Sequence, residues 1–319
     1  MLVLREHEVS AVLDIDAALE AVRRAQFAVY AGHGEVLAKG RARAGDLTLH
    51  AVGGALDAGG TELAGVKAYV SGSARAHWVL LFDGRHGLRA LVAADRLGRL
   101  RTGAASAVAA EALARPDATA LTLFGAGRQA FTQVEALSQI RRLSGVTVVS
   151  RTESHARAMA ARIRSELGLP AEIAVDPIAA IATADIVVTI TTAREPVLAG
   201  AALSPGTHVV LAGSSHANRR EADAEVFARA TLVTADDVDL ARAHSGDLIA
   251  AAAEGTLDWD DLRPLGWALD PANSAGLDPR TDITVFCSHG IGTWDIALAA
   301  TAVERALAAG LGVQVPASG

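Results

Sequence analysis

Six residues near the middle of the chain constrain its fold more than any others: Gly125-Ala126-Gly127-Arg128-Gln129-Ala130, a G-x-G-x-x-A turn. The run over 119–124 before it is apolar and β-branched, and the spacing over 129–143 after it is helical. A second apolar run, over 146–150, ends about 20 residues further on. In that setting Gly125 allows a tight turn, Gly127 lets the backbone approach a pyrophosphate, and Ala130 lets helix and strand pack closely. The helix start, with Arg128 and Gln129, offers free N–H groups to an anion. An ordinary glycine turn satisfies the same short pattern. The flanking strand, helix and second strand favour a dinucleotide site.

The end of that second strand bears on which dinucleotide. It reads Val148-Val149-Ser150-Arg151-Thr152, with no carboxylate before Glu153 to accept from a ribose 2′-hydroxyl. Arg151 can pair with a 2′-phosphate, and Ser150 and Thr152 can donate to it. The residues therefore favour NADPH over NADH, the alternative being a solvated loop arginine.

Further apolar runs over 173–175, 185–191, 207–213 and 231–234 follow, with helical stretches over 153–167 and 177–183 among them. Such strands need cover on both faces, which predicts a doubly wound parallel α/β sheet of Rossmann type. The first hundred residues are mixed. A helix is expected over 15–31, capped by Asp14 or Asp16, with strands over 46–52, 62–70, 78–82 and 88–92. Turn signals stand at Gly53-Gly54, Gly59-Gly60, Gly72 and Asp83-Gly84, and a helix over 95–113 runs up to a boundary at Pro116. A strongly apolar helix is expected over 294–309.

Composition narrows the function. The 319 residues leave room for about two domains, and 51% apolar with 20% charged residues excludes wholesale disorder. Aromatic residues are only 4%, so small apolar side chains carry the packing. Lys and Arg number 29 against 36 Asp and Glu, a net charge of −7 that disfavours a nucleic-acid partner. A lone cysteine, Cys287, excludes an internal disulfide and a cysteine zinc cluster. No stretch reaches the ~18–20 apolar residues of a membrane span. The opening MLVLREHEVS lacks the apolar segment of a signal peptide, so a cytoplasmic protein without a membrane partner is expected. The ten histidines form no metal-ligand spacing, Asp236-Asp237 fits a loop or helix cap better than a metal, and no G-x-S-x-G elbow points to a hydrolase.

Two segments carry a resemblance. Leu100-Arg101-Thr102-Gly103-Ala104-Ala105-Ser106-Ala107 and Leu113-Ala114-Arg115-Pro116-Asp117-Ala118 lead directly into the glycine turn. With Ala64-Gly65-Val66-Lys67, Arg219-Arg220-Glu221-Ala222-Asp223, Ile283-Thr284-Val285-Phe286, Ser288, Gly290 and Asp295, the chain resembles the ornithine cyclodeaminase/mu-crystallin family along its length. The resemblance implies that residues 1–115 and 290–319 form a mixed α+β substrate and dimerisation domain. Residues 116–289 would be the dinucleotide-binding domain, with the active site in the cleft and a homodimer as the assembly.

By the same resemblance Lys67 is the active-site lysine, Arg101 grips the substrate carboxylate, Arg43 is a second such arginine, and Thr102 lies near the nicotinamide. Lys67 is unusual in its own right, as a cation inside an apolar strand. Ser215 stands where cyclodeaminases carry an aspartate, and a serine cannot act as a carboxylate base. The loop is closer to the mu-crystallin pattern, and Ser215 is assigned to the cofactor side. His50, where the family commonly has Met, either reads a polar substrate group or is a tolerated histidine. His216 and His289 are further titratable candidates, each more readily structural. The expected activity is NAD(P)H-dependent reduction of the C=N bond of a small α-imino acid, or the reverse oxidation of an amino acid. The alternatives are a redox-neutral cyclodeaminase with bound NAD and a non-catalytic NADPH-binding protein.

Overall fold

The computed structural model describes residues 1–57, 59–71 and 76–316, so the turn expected at Gly72 lies outside the described residues. The chain divides into two compact units, Met1–Arg101 with Gly290–Gly319, and Thr102–His289. Among the described residues no helix is long and apolar enough to cross a membrane.

The first unit opens with β1 (Leu2–Leu4), α1 (Glu6–Val12) and α2 (Ile15–Tyr30). Asp14 caps α2 by accepting from the Ala17 N–H at 2.8 Å, the first of the two caps the sequence offered. Then come β2 (Gly34–Ala44), β3 (Leu47–Asp57), β4 (Glu62–Ser71), β5 (His77–Asp83), β6 (Gly87–Ala93) and α3 (Asp95–Leu113). The division between the units falls inside α3.

The second unit continues with β7 (Ala120–Phe124), α4 (Ala130–Ile140), β8 (Gly145–Val149), α5 (Glu153–Leu167), β9 (Ala171–Ile173), α6 (Pro177–Ala182), β10 (Ile186–Thr189) and β11 (His208–Leu211). It closes with α7 (Ala224–Arg229), β12 (Ala230–Ala235), α8 (Val238–His244), α9 (Gly246–Ala253), β13 (Arg263–Pro264), α10 (Leu265–Ala268), α11 (Pro271–Ser274) and β14 (Ile283–Cys287). The chain returns to the first unit through α12 (Gly292–Ala308) and β15 (Val313–Gln314).

Eight strands of the second unit form one parallel sheet in the order β13-β12-β14-β11-β10-β7-β8-β9. The order reverses around β7, so the glycine turn at its end sits at the switch point, where such sheets open a crevice. Strands β10, β11 and β14 are buried at every position, as the unbroken apolar runs require.

The first unit's sheet is mixed, in the order β15-β1-β6-β5-β4-β3-β2, with β1 parallel to β6 and antiparallel pairing from β6 to β2. Strand β2 was not expected from the sequence. It is an edge strand with a register irregularity between Leu37 and Gly40, and it carries Lys39, Arg41 and Arg43 where an alternating apolar face would stand.

Gly53-Gly54, expected as a turn, lies inside β3. The glycines serve helix packing. A Cβ at Gly54 would meet the Thr293 Cγ2 at 2.8 Å, one at Gly65 would meet the Ile296 Cγ1 at 3.1 Å, and one at Gly292 would overlap the backbone of Gly53. Missing side chains on β3, β4 and α12 thus let the helix lie directly on the strands. We expect Gly292→Ala to destabilise the protein by about 1–3 kcal/mol in urea unfolding through overpacking. Gly276→Ala, where a Cβ meets nothing within 4 Å, should change stability by less than about 1 kcal/mol.

Candidate active site

In the first unit, β4 carries Lys67 between Val52 of β3 and Val79 of β5, its in-register neighbours. The lysine is 4% exposed. Its Nζ donates to the Oδ1 of Asp295 at 2.7 Å, and the Nε of Arg101 donates to the same oxygen at 3.2 Å. Asp295, in the first turn of α12, is completely buried. Its Oδ2 has no hydrogen-bond partner among the described residues. Two cations therefore share one carboxylate oxygen while the second remains an unspent buried acceptor.

Lys67 and Asp295 set each other's proton affinity, and the Arg101 charge acts on both. Burial and the Arg101 charge push the Lys67 amine down to about 8 from an ordinary value of 10.5, against the opposing pull of Asp295. Burial pushes the Asp295 carboxyl up, but Arg101 and Lys67 outweigh it and hold the group below its ordinary value. Gly290, with φ +77°, stands where a Cβ would strike the Arg101 guanidinium, so that arginine needs glycine beside it. The guanidinium also lies 5.9 Å from the Trp294 ring, whose Nε1 donates to the buried Gln26 Oε1 at 3.1 Å.

A transverse row runs over four strands on the Lys67 face: Arg41, His50, Tyr69 and His77 are in register. His50 and Tyr69 stack with centroids 4.6 Å apart and planes at 4°, and Tyr69 and His77 follow at 5.2 Å and 23°. Lys67 Nζ is 5.9 Å from the Tyr69 centroid. His50 Nε2 is 3.1 Å from the Ser71 Oγ. Arg43 is exposed, one row further along, opposite Thr48. No hydrogen bond or ion pair joins it to Lys67 or Arg101 among the described residues. The structure thus brings together Lys67 and Arg101, puts His50 one row away and Arg43 two. The sequence reading gave no role to Asp295, Tyr69 or His77. The two-residue period of β4, which puts Tyr69 on the Lys67 face, was the available signal for the tyrosine.

In the second unit, Gly125 has φ +110°, and a Cβ there would lie 2.6 Å from the Ile190 carbonyl oxygen, so the turn demands glycine. Gly127 is exposed, and nothing lies within 4 Å of where its Cβ would be. Arg128 and Gln129 are exposed and Ala130 buried at the start of α4. A turn open at Gly127 and closed at Gly125 fits a pyrophosphate lying against backbone. Ser150 is half-buried, and Arg151 and Thr152 are exposed. A pocket of about 390 Å³ is lined by Ser150, Arg151, Glu153, Arg157 and Val175 among others. Arg157 is a second cation there that the sequence reading did not single out. Thr102 is buried in α3.

The loops at the strand ends are fixed by buried carboxylates. Glu221 accepts from the N–H and Oγ1 of Thr191 and from the N–H of Gly213, each at 2.7 Å. Asp247 accepts from the N–H groups of Glu221 and Ala222, and Asp236 from His289. This assigns His289 a structural partner, while Asp237 caps α8. Burial pushes both Glu221 and Asp247 up. Ser215 and His216 are half-buried on the loop after β11. Cys287 is buried, and burial pushes its thiol far above the ordinary value. Among the described residues no three His, Cys, Asp or Glu side chains are grouped to hold a metal ion.

Residues 16–310 match the profile described as the ornithine cyclodeaminase/mu-crystallin family. A Delta(1)-pyrroline-2-carboxylate reductase of Bacillus cereus is 34% identical over 226 residues, 71% of this chain and 69% of the relative. The structure of the Thermococcus litoralis Delta(1)-pyrroline-2-carboxylate reductase with NADH and L-proline superposes with a TM-score of 0.91 at 27% identity, covering 99% of this chain and 100% of that one. The iminosuccinate reductase of Paracoccus denitrificans with NAD⁺ gives a TM-score of 0.91 at 29% identity, covering 99% of each chain.

Truncating Asp295 to Ala leaves two buried cations without their anion, and we expect a loss of about 3–5 kcal/mol in urea unfolding. The double change Lys67→Met with Asp295→Leu removes both the buried amine and the carboxylate, and should recover part of that loss.

Proposed function

The chain belongs to the ornithine cyclodeaminase/mu-crystallin family, and on that premise we propose that it is an NAD(P)H-dependent oxidoreductase of C=N and CH–NH bonds in small imino and amino acids. The observation that carries this reading is Lys67, buried in a strand, bonded to Asp295 and brought to a proton affinity near neutrality. A general acid works best when its pKa lies near the working pH.

The residues divide the work. Arg101 binds the substrate carboxylate with its planar fork of donors, and Arg43 assists from the edge strand. Lys67 holds at Nζ the proton that the imine nitrogen takes up. Asp295 keeps the lysine in place and limits the fall of its pKa. The dinucleotide lies along Gly125, Gly127, Arg128 and Gln129, with Thr102 and Ser215 on the nicotinamide side. Ser150, Arg151 and Thr152 hold the adenosine 2′-phosphate, which makes NADPH the preferred form. A reduced nicotinamide bound there supplies hydride to the substrate α-carbon.

The first unit, on this reading, is the substrate and dimerisation domain, and the second binds the dinucleotide. The sheet face opposite Lys67 supports the assembly. Leu37, Leu49, Val66, Leu80 and Phe82 lie on it, half-buried or exposed. A second copy of this chain would cover them in a homodimer. The serine at 215 speaks against a cyclodeaminase, which needs a carboxylate in that loop.

Purified protein with NADPH and Delta(1)-pyrroline-2-carboxylate should consume reduced-nicotinamide absorbance in a substrate-dependent way. Lys67→Ala should abolish that turnover and leave NADPH affinity within about twofold; equal loss of both would remove the catalytic role. Reduction needs protonated Lys67, so kcat/KM should hold below about 8 and fall as pH rises through it, while amine oxidation should rise over the same window. Asp295→Asn removes the influence that raises this pKa, and should move the alkaline limb to lower pH. Arg151→Ala should raise the NADPH KM by about tenfold and leave the NADH KM little changed.

A further inference from the structure

The row Arg41–His50–Tyr69–His77 has no part in holding an α-carboxylate or a proton at Lys67, yet it begins within 6 Å of that amine. We propose that it is the subsite for the substrate side chain, and that it selects imino acids bearing a second carboxylate over apolar cyclic ones. The inference rests on the reductase reading of Lys67 and Arg101 and deepens it.

Placement comes first. Helix α12 covers the Gly54–Gly65 row through Thr293 and Ile296, and reaches Lys67 through Asp295. The next row on the same face, at Tyr69, is two residues along β4 from Lys67, so a substrate held at Lys67 can reach it. The 5.9 Å from Nζ to the Tyr69 centroid leaves room for about two further bonds of a chain beyond an atom hydrogen-bonded to Nζ.

The chemistry of the row decides what that chain carries. Tyr69 is stacked between His50 and His77, so a ligand at the centre of the row meets ring edges and not the face of the tyrosine. The charges that act on His50 are both cations, Arg41 and Lys39, and with burial they lower its proton affinity. Burial holds the Tyr69 hydroxyl above its ordinary value, while Arg101 and Arg41 pull it the other way. The carboxylates near the row already have cationic or imidazole neighbours: Asp295 has Lys67 and Arg101, and Asp95 lies 3.8 Å from His77 Nδ1 and 3.3 Å from Arg99. A substrate carboxylate at the row would meet the Arg41 charge together with imidazole and hydroxyl groups. An apolar ring there would desolvate those polar edges without replacing their hydrogen bonds, and sites of that kind reject such analogues strongly.

The test compares two imines with the intact protein and NADPH: the imine of oxaloacetate with ammonia, and Delta(1)-pyrroline-2-carboxylate. We expect kcat/KM at least about tenfold higher for the dicarboxylate. Arg41→Ala and His50→Leu should each cut that ratio by about tenfold, with Arg41→Lys retaining most of it. A turnover-independent arm measures binding of L-aspartate and L-proline in the presence of NADP⁺ by calorimetry, with the same variants. Reduction of both imines without dicarboxylate preference, or an unchanged ratio in both Arg41→Ala and His50→Leu, overturns the subsite and leaves the reductase reading standing. Arg41-dependent binding of L-aspartate without any imine turnover supports the subsite and overturns the reductase reading. Failure of L-aspartate to bind more tightly than L-proline overturns the subsite whatever the kinetics.

Discussion

The first unit is organised around one buried carboxylate. Asp295 is fully enclosed, and its Oδ1 takes a hydrogen bond from Lys67 at 2.7 Å and another from Arg101 at 3.2 Å. Without it the buried Lys67 ammonium would have no anion, and desolvating an unpaired charge costs several kcal/mol. The arrangement in turn demands that α12 approach β4 closely. Glycines at 54, 65 and 292 meet that demand by leaving no Cβ between helix and strands. Backbone packing and the state of the lysine are therefore one problem: a helix held further out would leave Lys67 without its anion.

The second unit applies the same physics to backbone. Loops at the strand ends of a parallel sheet carry N–H groups that no neighbouring strand can satisfy. Glu221, Asp247 and Asp236 take up those donors from Thr191, Gly213, Glu221, Ala222 and His289. These carboxylates sit at the end of the sheet where the glycine turn also opens, so they fix the frame against which a dinucleotide would rest. Their burial, with thiol Cys287 among them, marks them as structural groups.

The parallel sheet was readable because its central strands β10, β11 and β14 are buried at every position and so read as largely apolar runs. The glycine turn was readable because the positive φ of Gly125 and its closeness to Ile190 demand glycine there, between a strand and a helix. The mixed sheet was harder. Strand β2 alternates Lys39, Arg41 and Arg43 with glycine and alanine on an edge, so no large apolar face announces it. Gly53-Gly54 looks locally like a turn, and only the presence of α12 above it makes it strand.

For the candidate site, the residue sequence by itself determined the oddity of Lys67 in an apolar strand, the dinucleotide turn, and the family to which both belong. Only the tertiary structure decided what surrounds them. Lys67 and Asp295 are 228 residues apart, and Arg101 and Asp295 are 194. The ring row is assembled from three strands whose register a linear reading cannot supply. A side chain's identity is local, but its proton affinity depends on which charges and how much water lie within a few ångströms, and folding alone sets those.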